Sequence, residues 1–436
     1  MLEQRLIEAH ELVTGEAYEP ALIALESILE QYPNHSGALN MLGYCWLELG
    51  REATAYQFFQ RALQTQPENK FVLVNTGRAL HEMGKYQEAI SYYLKAAKID
   101  PGYTMAYSNA AASLVQLSQW EDGKKAAELA LECDPDDLNS RMNLANCHLG
   151  LGDLKKGWQA MELSLGGKFR REWCYGDEPR WNGEKGKTIV IYGEQGLGDE
   201  IYFMESAQDA IRDSKKVFID CDPKLEGLFR RSFLDAEVHG TRRDESIEWL
   251  EGVDIEARCA MGSLPLFYRN KQEDFHLKPY LVADPERRKM WRGLFDSYGK
   301  PVIGVCLSGG TKKNNLVGRT LSPDDFDALR AKYDAVFVSL EYRGDDPEWC
   351  KSFPFATRSN DYDDTAALIA ELDCVVGICT TAMHCADALG VPAVTLVPDE
   401  HTWKFAGGIP LIPSSKFVFK DGREWAEVIG EITLDL

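Results

Sequence analysis

The feature that most constrains this chain is a 34-residue period in its first third. Pro33, Pro67, Pro101 and Pro135 lie 34 residues apart. A second series keeps the same spacing and consists of Gly50, Gly84, Ser118 and Gly152. A period of this length is typical of stacked helix pairs, in which each pair packs against its neighbours. The first third is therefore predicted to form an α-helical solenoid.

One unit of the period, "NTGRALHEMGKYQEAISYYLKAAKIDP" at 75–101, predicts how each pair is built. Gly77 lets the two helices approach each other, and Gly84 makes the turn between them. The second helix should end before Pro101, because proline cannot continue a helix. Its predicted packing stripe, at helical spacing, consists of Ala89, Tyr93 and Ala96.

This unit resembles the tetratricopeptide repeat, and the resemblance recurs in "MLGYCWLELGREATAYQFFQRALQTQP" at 41–67. Four repeats and part of a fifth can be counted. The segment at 143–165 starts the fifth and then departs from the pattern, as a capping helix at a domain junction would. Repeats of this kind resemble modules that bind proteins or peptides on a concave face, so the resemblance implies such a partner. The alternative is a platform that only positions or dimerises the next domain.

From residue 186 onward, strands alternate with helices. "KTIVIYGEQGLGDEI" reads as a buried strand at 188–192, a loop with Gly193, Gly196 and Gly198, and a helix from about Glu200. A second series begins at "KPVIGVCLSGG" and ends with "VVGICTTAMHCADALGVPAVTLVP" at 375–398. Such alternation predicts parallel sheets. The predicted fold class is α plus α/β: a repeat domain at 1–170, then two Rossmann-like halves at 171–290 and 291–436.

Bulk properties narrow the function. The 436 residues, 44% apolar and 27% charged, predict a globular protein of two or three domains, and the net charge of −21 argues against nucleic-acid binding. Neither an apolar run of about 20 residues nor a signal peptide is visible, so a cytoplasmic protein without a membrane span is expected. Eleven cysteines, an odd count with no C-x-x-C pair, indicate neither a disulfide framework nor a zinc site.

The segment that follows the apolar run at 375–378 suggests an anion site. Cys379, Thr380 and Thr381 supply backbone N–H groups and two hydroxyls where a helix over 382–389 should begin, a position that favours negative charge. His384, one turn further on, could face the ligand. The alternative is an ordinary strand-to-helix junction, with Thr381 as the N-cap and His384 buried in the core.

The same segment resembles the heptosyltransferase-like glycosyltransferases of family 9. Their pattern is Asp-Thr-x-x-x-His-x-Ala-x-Ala-Leu-Gly-x-Pro after a strand. The positions that match are Thr380, His384, Ala386, Ala388, Leu389, Gly390 and Pro392. Cys379 stands where the family usually has Asp, a residue thought to help hold the donor sugar.

The resemblance also implies roles for residues at other predicted strand ends. "GEQGLGDEI" is similar to the family's N-terminal loop, in which Asp199 would be the general base and Gly196 and Gly198 would line the substrate. In "SGGTKKNNLVGRTLSP", Lys312, Lys313 and Arg319 are candidates to meet a diphosphate. Glu341, in "SLEYRGDDPEW", could accept hydrogen bonds from ribose hydroxyls.

Each of these residues also has a structural explanation. The glycines could serve only a tight turn, Asp199 could cap the following helix, and Lys312 and Lys313 could lie in a solvated loop.

Together the matches imply a GT-B-type glycosyltransferase that uses a nucleotide diphosphate sugar and needs neither a bound metal ion nor a cofactor. The diphosphate would be stabilised as it leaves, while Asp199 takes the proton of the acceptor hydroxyl. A second hypothesis is a non-catalytic scaffold whose GT-B-like domain only holds a nucleotide or glycan, which the Cys379 replacement favours. A third is a sugar-nucleotide epimerase.

Overall fold

A computed structural model describes residues 2–167, 170–242, 247–309, 319–342, 346–406 and 415–436. The chain divides into two compact units, Met1–His148 and Leu149–Leu436. The first contains helices alone. The second carries two β-sheets with helices around them.

The first unit is built from successive helix pairs. Its helices are α1 (Leu2–Thr14), α2 (Tyr18–Gln31), α3 (Ser36–Glu48), α4 (Glu52–Thr65), α5 (Lys70–Glu82), α6 (Tyr86–Ile99), α7 (Thr104–Gln116), α8 (Trp120–Cys133) and α9 (Leu138–Gly150). The unit boundary falls in the last turn of α9. From α3 onward, each helix starts 34 residues after its counterpart in the preceding pair, which confirms the period found in the sequence.

Each helix pair depends on a small residue where the two helices touch and on another in the turn between them. A Cβ atom built on Gly77 of α5 would lie 2.4 Å from the ring of Tyr93 in α6, so the close approach requires glycine. The turns place Gly50 and Gly84 at φ +71° and +75°, the left-handed region that glycine adopts without strain. Ser118 occupies the same position at φ +55°, where a side chain is disfavoured.

The second unit begins with α10 (Leu154–Leu163) and a four-stranded parallel sheet. The strand order is β3-β2-β1-β4, with β1 (Thr188–Tyr192), β2 (Lys216–Asp220), β3 (Glu237–His239) and β4 (Ala257–Ala260). Its helices are α11 (Leu197–Phe203), α12 (Ala207–Asp213), α13 (Glu226–Ser232) and α14 (Leu264–Tyr268). Strand β1 spans the predicted residues, and α11 begins three residues before the predicted start.

A second parallel sheet has five strands in the order β6-β5-β7-β8-β9. They are β5 (Val302–Cys306), β6 (Val336–Ser339), β7 (Cys374–Ile378), β8 (Ala393–Val397) and β9 (Lys416–Phe419). The remaining helices are α15 (Pro285–Asp296), α16 (Asp327–Lys332), α17 (Pro354–Thr357), α18 (Tyr362–Ile369), α19 (Thr381–Leu389), α20 (Trp403–Ala406) and α21 (Trp425–Glu431). Parallel pairing throughout both sheets confirms the α/β character of the C-terminal region.

The segment between the sheets joins the two halves of this unit through hydrogen bonds. The N–H groups of Tyr280 and Leu281 both donate to the carbonyl of Ala388 in α19, at 2.9 and 3.0 Å. The Tyr280 hydroxyl donates to the carbonyl of Ile201 in α11, at 2.8 Å. One residue therefore ties α11 of the first half to α19 of the second.

Candidate functional site

The glycine-rich loop after β1 is fixed by two buried ion pairs. Glu194 accepts hydrogen bonds from the Arg170 guanidinium, at 3.2 and 3.0 Å, and both side chains are almost fully buried. Glu200 pairs with Arg242, which also donates to the carbonyl of Gln195 at 2.7 Å. Because each buried charge has a partner of opposite sign, the loop that leads into α11 is held in one conformation.

Asp199, the predicted general base, lies in the first turn of α11 and is ion-paired with Lys404 of α20. Its other carboxylate oxygen accepts a hydrogen bond from the Gly196 amide at 3.2 Å. Burial acts to raise the pKa of Asp199, but the Lys404 ammonium outweighs it, so the pKa lies below its ordinary value. The structure thus places Gly196 and Asp199 together. The Asp199 carboxylate is ionised, and the Lys404 ammonium balances its charge.

The predicted anion site, at the start of α19, lies against this loop. A Cβ atom built on Gly198 would be 2.9 Å from Thr381 Oγ1 and 3.4 Å from Thr381 Cα. The two predicted substrate loops, one from each half, therefore meet at Gly198 and Thr381. Any larger residue at 198 would push the halves apart.

Thr380 is the N-cap residue of α19, in an extended conformation, and its side chain does not cap the helix. Its Oγ1 atom is buried and meets no oxygen or nitrogen partner in the described part of the chain, while the Cys306 thiol, a weak partner, lies beside it. Among the residues that the structure describes, the Thr380 side chain leaves the first amides of α19 uncapped, so these amides can bind a ligand or water.

His384 stacks with Phe405 and meets Tyr202 edge to face, at ring centroid distances of 6.4 and 5.5 Å. Burial lowers the pKa of His384 to about 3, and the charges of Lys404 and Arg319 act in the same direction. The imidazole is therefore neutral at pH 7, so it can exchange hydrogen bonds with a ligand without adding charge.

Arg319 lies beside Cys379, at the carboxyl end of β7. One guanidinium nitrogen is 2.8 Å from the Cys379 sulfur and 3.3 Å from its carbonyl oxygen. No carboxylate pairs with Arg319 within the described ranges. Its positive charge is therefore less neutralised than it would be beside an aspartate.

Glu341 is at the carboxyl end of β6, as predicted, but its carboxylate is occupied by neighbouring loop groups. It accepts hydrogen bonds from the amides of Leu307 and Ser308, at 2.5 and 2.9 Å, and from the Ser308 hydroxyl, at 2.5 Å. The side chain is 3% exposed. In this arrangement Glu341 holds the loop after β5, and a contact with a ribose is still only a prediction.

Lys312 and Lys313, the other candidates for the diphosphate, lie outside the described residues. The remaining candidates occur in two groups. One group surrounds the meeting point of α11 and α19 and consists of Gly196, Gly198, Asp199, Arg319, Thr380, Thr381 and His384. Glu341 stands apart from it, at the end of β6, which β5 separates from β7.

Two residues of this region were not predicted from the sequence to belong to the site. Lys404 pairs with Asp199 and lies 4.6 Å from the centre of the Tyr202 ring. Asp387 of α19 is 4% exposed, accepts a hydrogen bond from the Ser415 hydroxyl, and has a pKa that burial raises to about 7. Both side chains line a cavity of about 10 Å³, room for one water molecule, with Tyr202 and His384.

The described ranges hold neither a candidate metal cluster nor a candidate membrane-spanning helix. No group of three or more His, Cys, Asp or Glu side chains there is placed to hold a metal ion. Among the described helices, none is both long enough and apolar enough to cross a membrane.

Comparison with known proteins identifies the first unit. Residues 15–96 match the family model described as anaphase-promoting complex, cyclosome, subunit 3. The N-terminal unit is a tetratricopeptide-repeat solenoid. The repeats continue beyond the matched residues, because α7, α8 and α9 keep the same 34-residue spacing. The family match covers less than half of the chain and does not include the sheets.

One curated relative is protein FlbA of Caulobacter vibrioides, 28% identical over 290 residues that cover 59% of this chain and 48% of FlbA. The chain thus spans about half the length of that relative. Among solved structures, MamA from Desulfovibrio magneticus RS-1 is 18% identical, with a TM-score of 0.35, and covers 37% of this chain and 92% of its own. TTC0263, a tetratricopeptide-repeat protein of Thermus thermophilus, is 19% identical, with a TM-score of 0.34, and covers 38% and 90%.

Proposed function

We propose that this chain is a glycosyltransferase of GT-B type that transfers a sugar from a nucleotide diphosphate sugar to an acceptor. The tetratricopeptide repeats recruit the acceptor or a protein partner. The observation that carries the proposal is the contact of Gly198 with Thr381, because it brings Asp199 beside the start of α19. A carboxylate and an anion-binding helix start, contributed by two different parallel sheets, are what such a transfer requires.

The diphosphate is assigned to the first turn of α19. The first amides of α19, which the Thr380 side chain does not cap, and the hydroxyls of Thr380 and Thr381 donate hydrogen bonds to phosphate oxygens. Arg319, whose described partners are the sulfur and carbonyl of Cys379, adds a positive charge at the same place. Stabilising the diphosphate in this way lowers the barrier, because it is the anionic leaving group.

Asp199 is assigned the role of the general base that accepts the proton of the acceptor hydroxyl. As the bond from the sugar carbon to the diphosphate oxygen breaks, a bond to the acceptor oxygen forms, and the hydroxyl proton passes to the carboxylate. The Gly196 amide orients the carboxylate. His384, neutral at pH 7, can accept or donate one hydrogen bond beside the donor sugar.

The decisive experiment is a screen of nucleotide sugars by mass spectrometry, with release of the nucleotide diphosphate as the signal. With the active donor in hand, we expect Asp199→Asn to reduce transfer by about 10²- to 10⁴-fold, the usual size of a general-base contribution. The exposed Asp435→Asn, in the second half, is the control and should keep full activity. Activity in Asp199→Asn equal to that of the wild type would reject the role of Asp199.

Lys312 and Lys313 are tested separately. A Lys312→Ala, Lys313→Ala double variant should bind the donor more weakly if either lysine meets the diphosphate. Unchanged donor affinity would remove both residues from the site while leaving Arg319 and α19 in place.

A second candidate is a scaffold that binds a nucleotide or glycan without turnover. The ion pair between Asp199 and Lys404 favours it, since a carboxylate held by an ammonium is a weaker base. Binding of a nucleotide sugar, seen as a rise in melting temperature, with no product from any donor would establish this alternative.

A further inference from the structure

Lys404 is ion-paired with Asp199, and the side chains around it determine where its ammonium can move. Helix α20, which carries it, is anchored by Trp403, whose ring meets Trp158 of α10 at 5.3 Å and Tyr202 at 5.9 Å. The Lys404 ammonium lies over the rings of Tyr202 and Phe203, at 4.6 and 5.4 Å. Trp403 therefore anchors the backbone of α20, while the Lys404 ammonium contacts these two rings and Asp199.

The ammonium also lies close to the start of α19. Lys404 and His384 line the same cavity, and the charge of Lys404 is felt at the His384 ring. Asp199, its present partner, follows Gly198, which touches Thr381. A lysine has a flexible four-carbon stem, so rotation about its bonds can turn the ammonium away from Asp199 and toward a ligand at the start of α19.

We propose that Lys404 is a donor-binding residue whose ammonium leaves Asp199 and binds the diphosphate when a donor occupies the start of α19. The inference rests on the proposed function. A diphosphate carries more than one negative charge, so it attracts the ammonium more strongly than a single carboxylate does. Asp199 stays oriented, because the Gly196 amide donates to its other oxygen independently of Lys404.

The exchange has a consequence for the order of events. While Lys404 neutralises it, Asp199 is a weak base. Once the ammonium has moved to the diphosphate, the carboxylate is free to accept the acceptor's proton. The base is thus available only when a donor is bound, so the site requires both substrates before it reacts.

The test uses the full chain and inorganic pyrophosphate as the probe. In crystals soaked with pyrophosphate, we expect Lys404 Nζ at about 2.7–2.9 Å from a phosphate oxygen and no longer on Asp199. In calorimetry at neutral pH, Lys404→Met should lose about tenfold in affinity and Lys404→Arg should keep most of it. Lys420→Met, which removes a partly exposed lysine of the same half, is the matched control and should bind as the wild type does.

Asp199→Asn separates this role from a merely structural one. It removes the competitor for the ammonium, so pyrophosphate should bind more tightly, which a purely structural Lys404 would not predict. Wild-type affinity in Lys404→Met would overturn the inference, as would an ammonium still on Asp199 with pyrophosphate bound to α19. A wild-type chain that does not bind pyrophosphate at all would overturn both the inference and the diphosphate site of the proposed function.

Discussion

Gly198 and Thr381, one from each half of the C-terminal unit, lie so close together that a side chain at 198 would collide with Thr381. A methyl group at 198 would come within 2.9 Å of the Thr381 hydroxyl oxygen and 3.4 Å of the Thr381 Cα. The backbone of Thr381 starts α19 and cannot move without moving the helix. The absence of a side chain at 198 therefore allows the two substrate loops to meet.

Gly198→Ala should disturb both stability and ligand binding. We expect the free energy of unfolding to fall by about 1–3 kcal/mol, the usual cost of overpacking, and pyrophosphate affinity to fall as well. Urea denaturation and calorimetry measure the two effects. Gly293→Ala, in α15, is the control, since a methyl group there meets no atom within 4 Å. Equal stability of Gly198→Ala and the wild type would contradict the contact.

Cys379→Asp should weaken pyrophosphate binding by tenfold or more. The new carboxylate would lie where the sulfur lies, 2.8 Å from Arg319, and would take the charge now available to a ligand. Cys379→Asn has the same shape without the charge, and it should retain affinity within about threefold, a difference of less than 1 kcal/mol. If the Asp and Asn variants bind equally well, Arg319 does not contribute to the anion site.

His384 makes the second unit less stable in acid. Its pKa is about 3 in the folded chain and near 6.5 when unfolded, so below pH 6.5 the unfolded chain binds the extra proton. The free energy of unfolding should therefore fall as the pH drops, with a His384 contribution of about 1 kcal/mol between pH 7.5 and 5.5.

His384→Gln should remove that part of the pH dependence in urea denaturation. His10→Gln, at an exposed position in α1, is the control and should leave the slope as it is in the wild type. An identical slope in His384→Gln would show that the ring is not held neutral.

Gly77→Ala should destabilise the repeat unit by about 1–3 kcal/mol, because the added methyl group would meet the Tyr93 ring at 2.4 Å. Gly102→Ala is the comparison, since the nearest atom to an added methyl group is a side-chain oxygen of Asp100 at an ordinary contact distance of 3.5 Å. Circular dichroism during urea unfolding gives both values. A smaller loss in Gly77→Ala than in Gly102→Ala would be the contrary result.

The parts of the fold set by local pattern were predictable from the sequence. The helix pairs follow from a repeated spacing, and β1 follows from the apolar run at 188–192 before a glycine-rich loop. Likewise, the side chains at the start of α19 could be named because a strand, a hydroxyl pair and a helix are adjacent in the chain.

Contacts between distant segments were not predictable in this way. Lys404 lies 205 residues from Asp199, on a helix of four residues, and their pairing depends on how the two sheets face each other. Glu341 was predicted to face a ligand, and no spacing signals that its carboxylate binds the amides of Leu307 and Ser308. The end of a strand predicts where a residue lies in the sheet, but its hydrogen-bond partners depend on the tertiary packing.

Helix α10 keeps the spacing of the repeats but packs within the unit that contains the sheets. Its start keeps the 34-residue register of the solenoid, yet Trp158 is 1% exposed, donates to the Arg269 carbonyl at 2.6 Å and packs on Phe203 and Trp403. A truncated protein that begins at residue 171 would lack this tryptophan. Phe203 of α11 and Trp403 of α20 would then lose the ring on which they pack. A chimera in which other repeats replace these should therefore be joined before Leu149, so that α10 stays with the sheets.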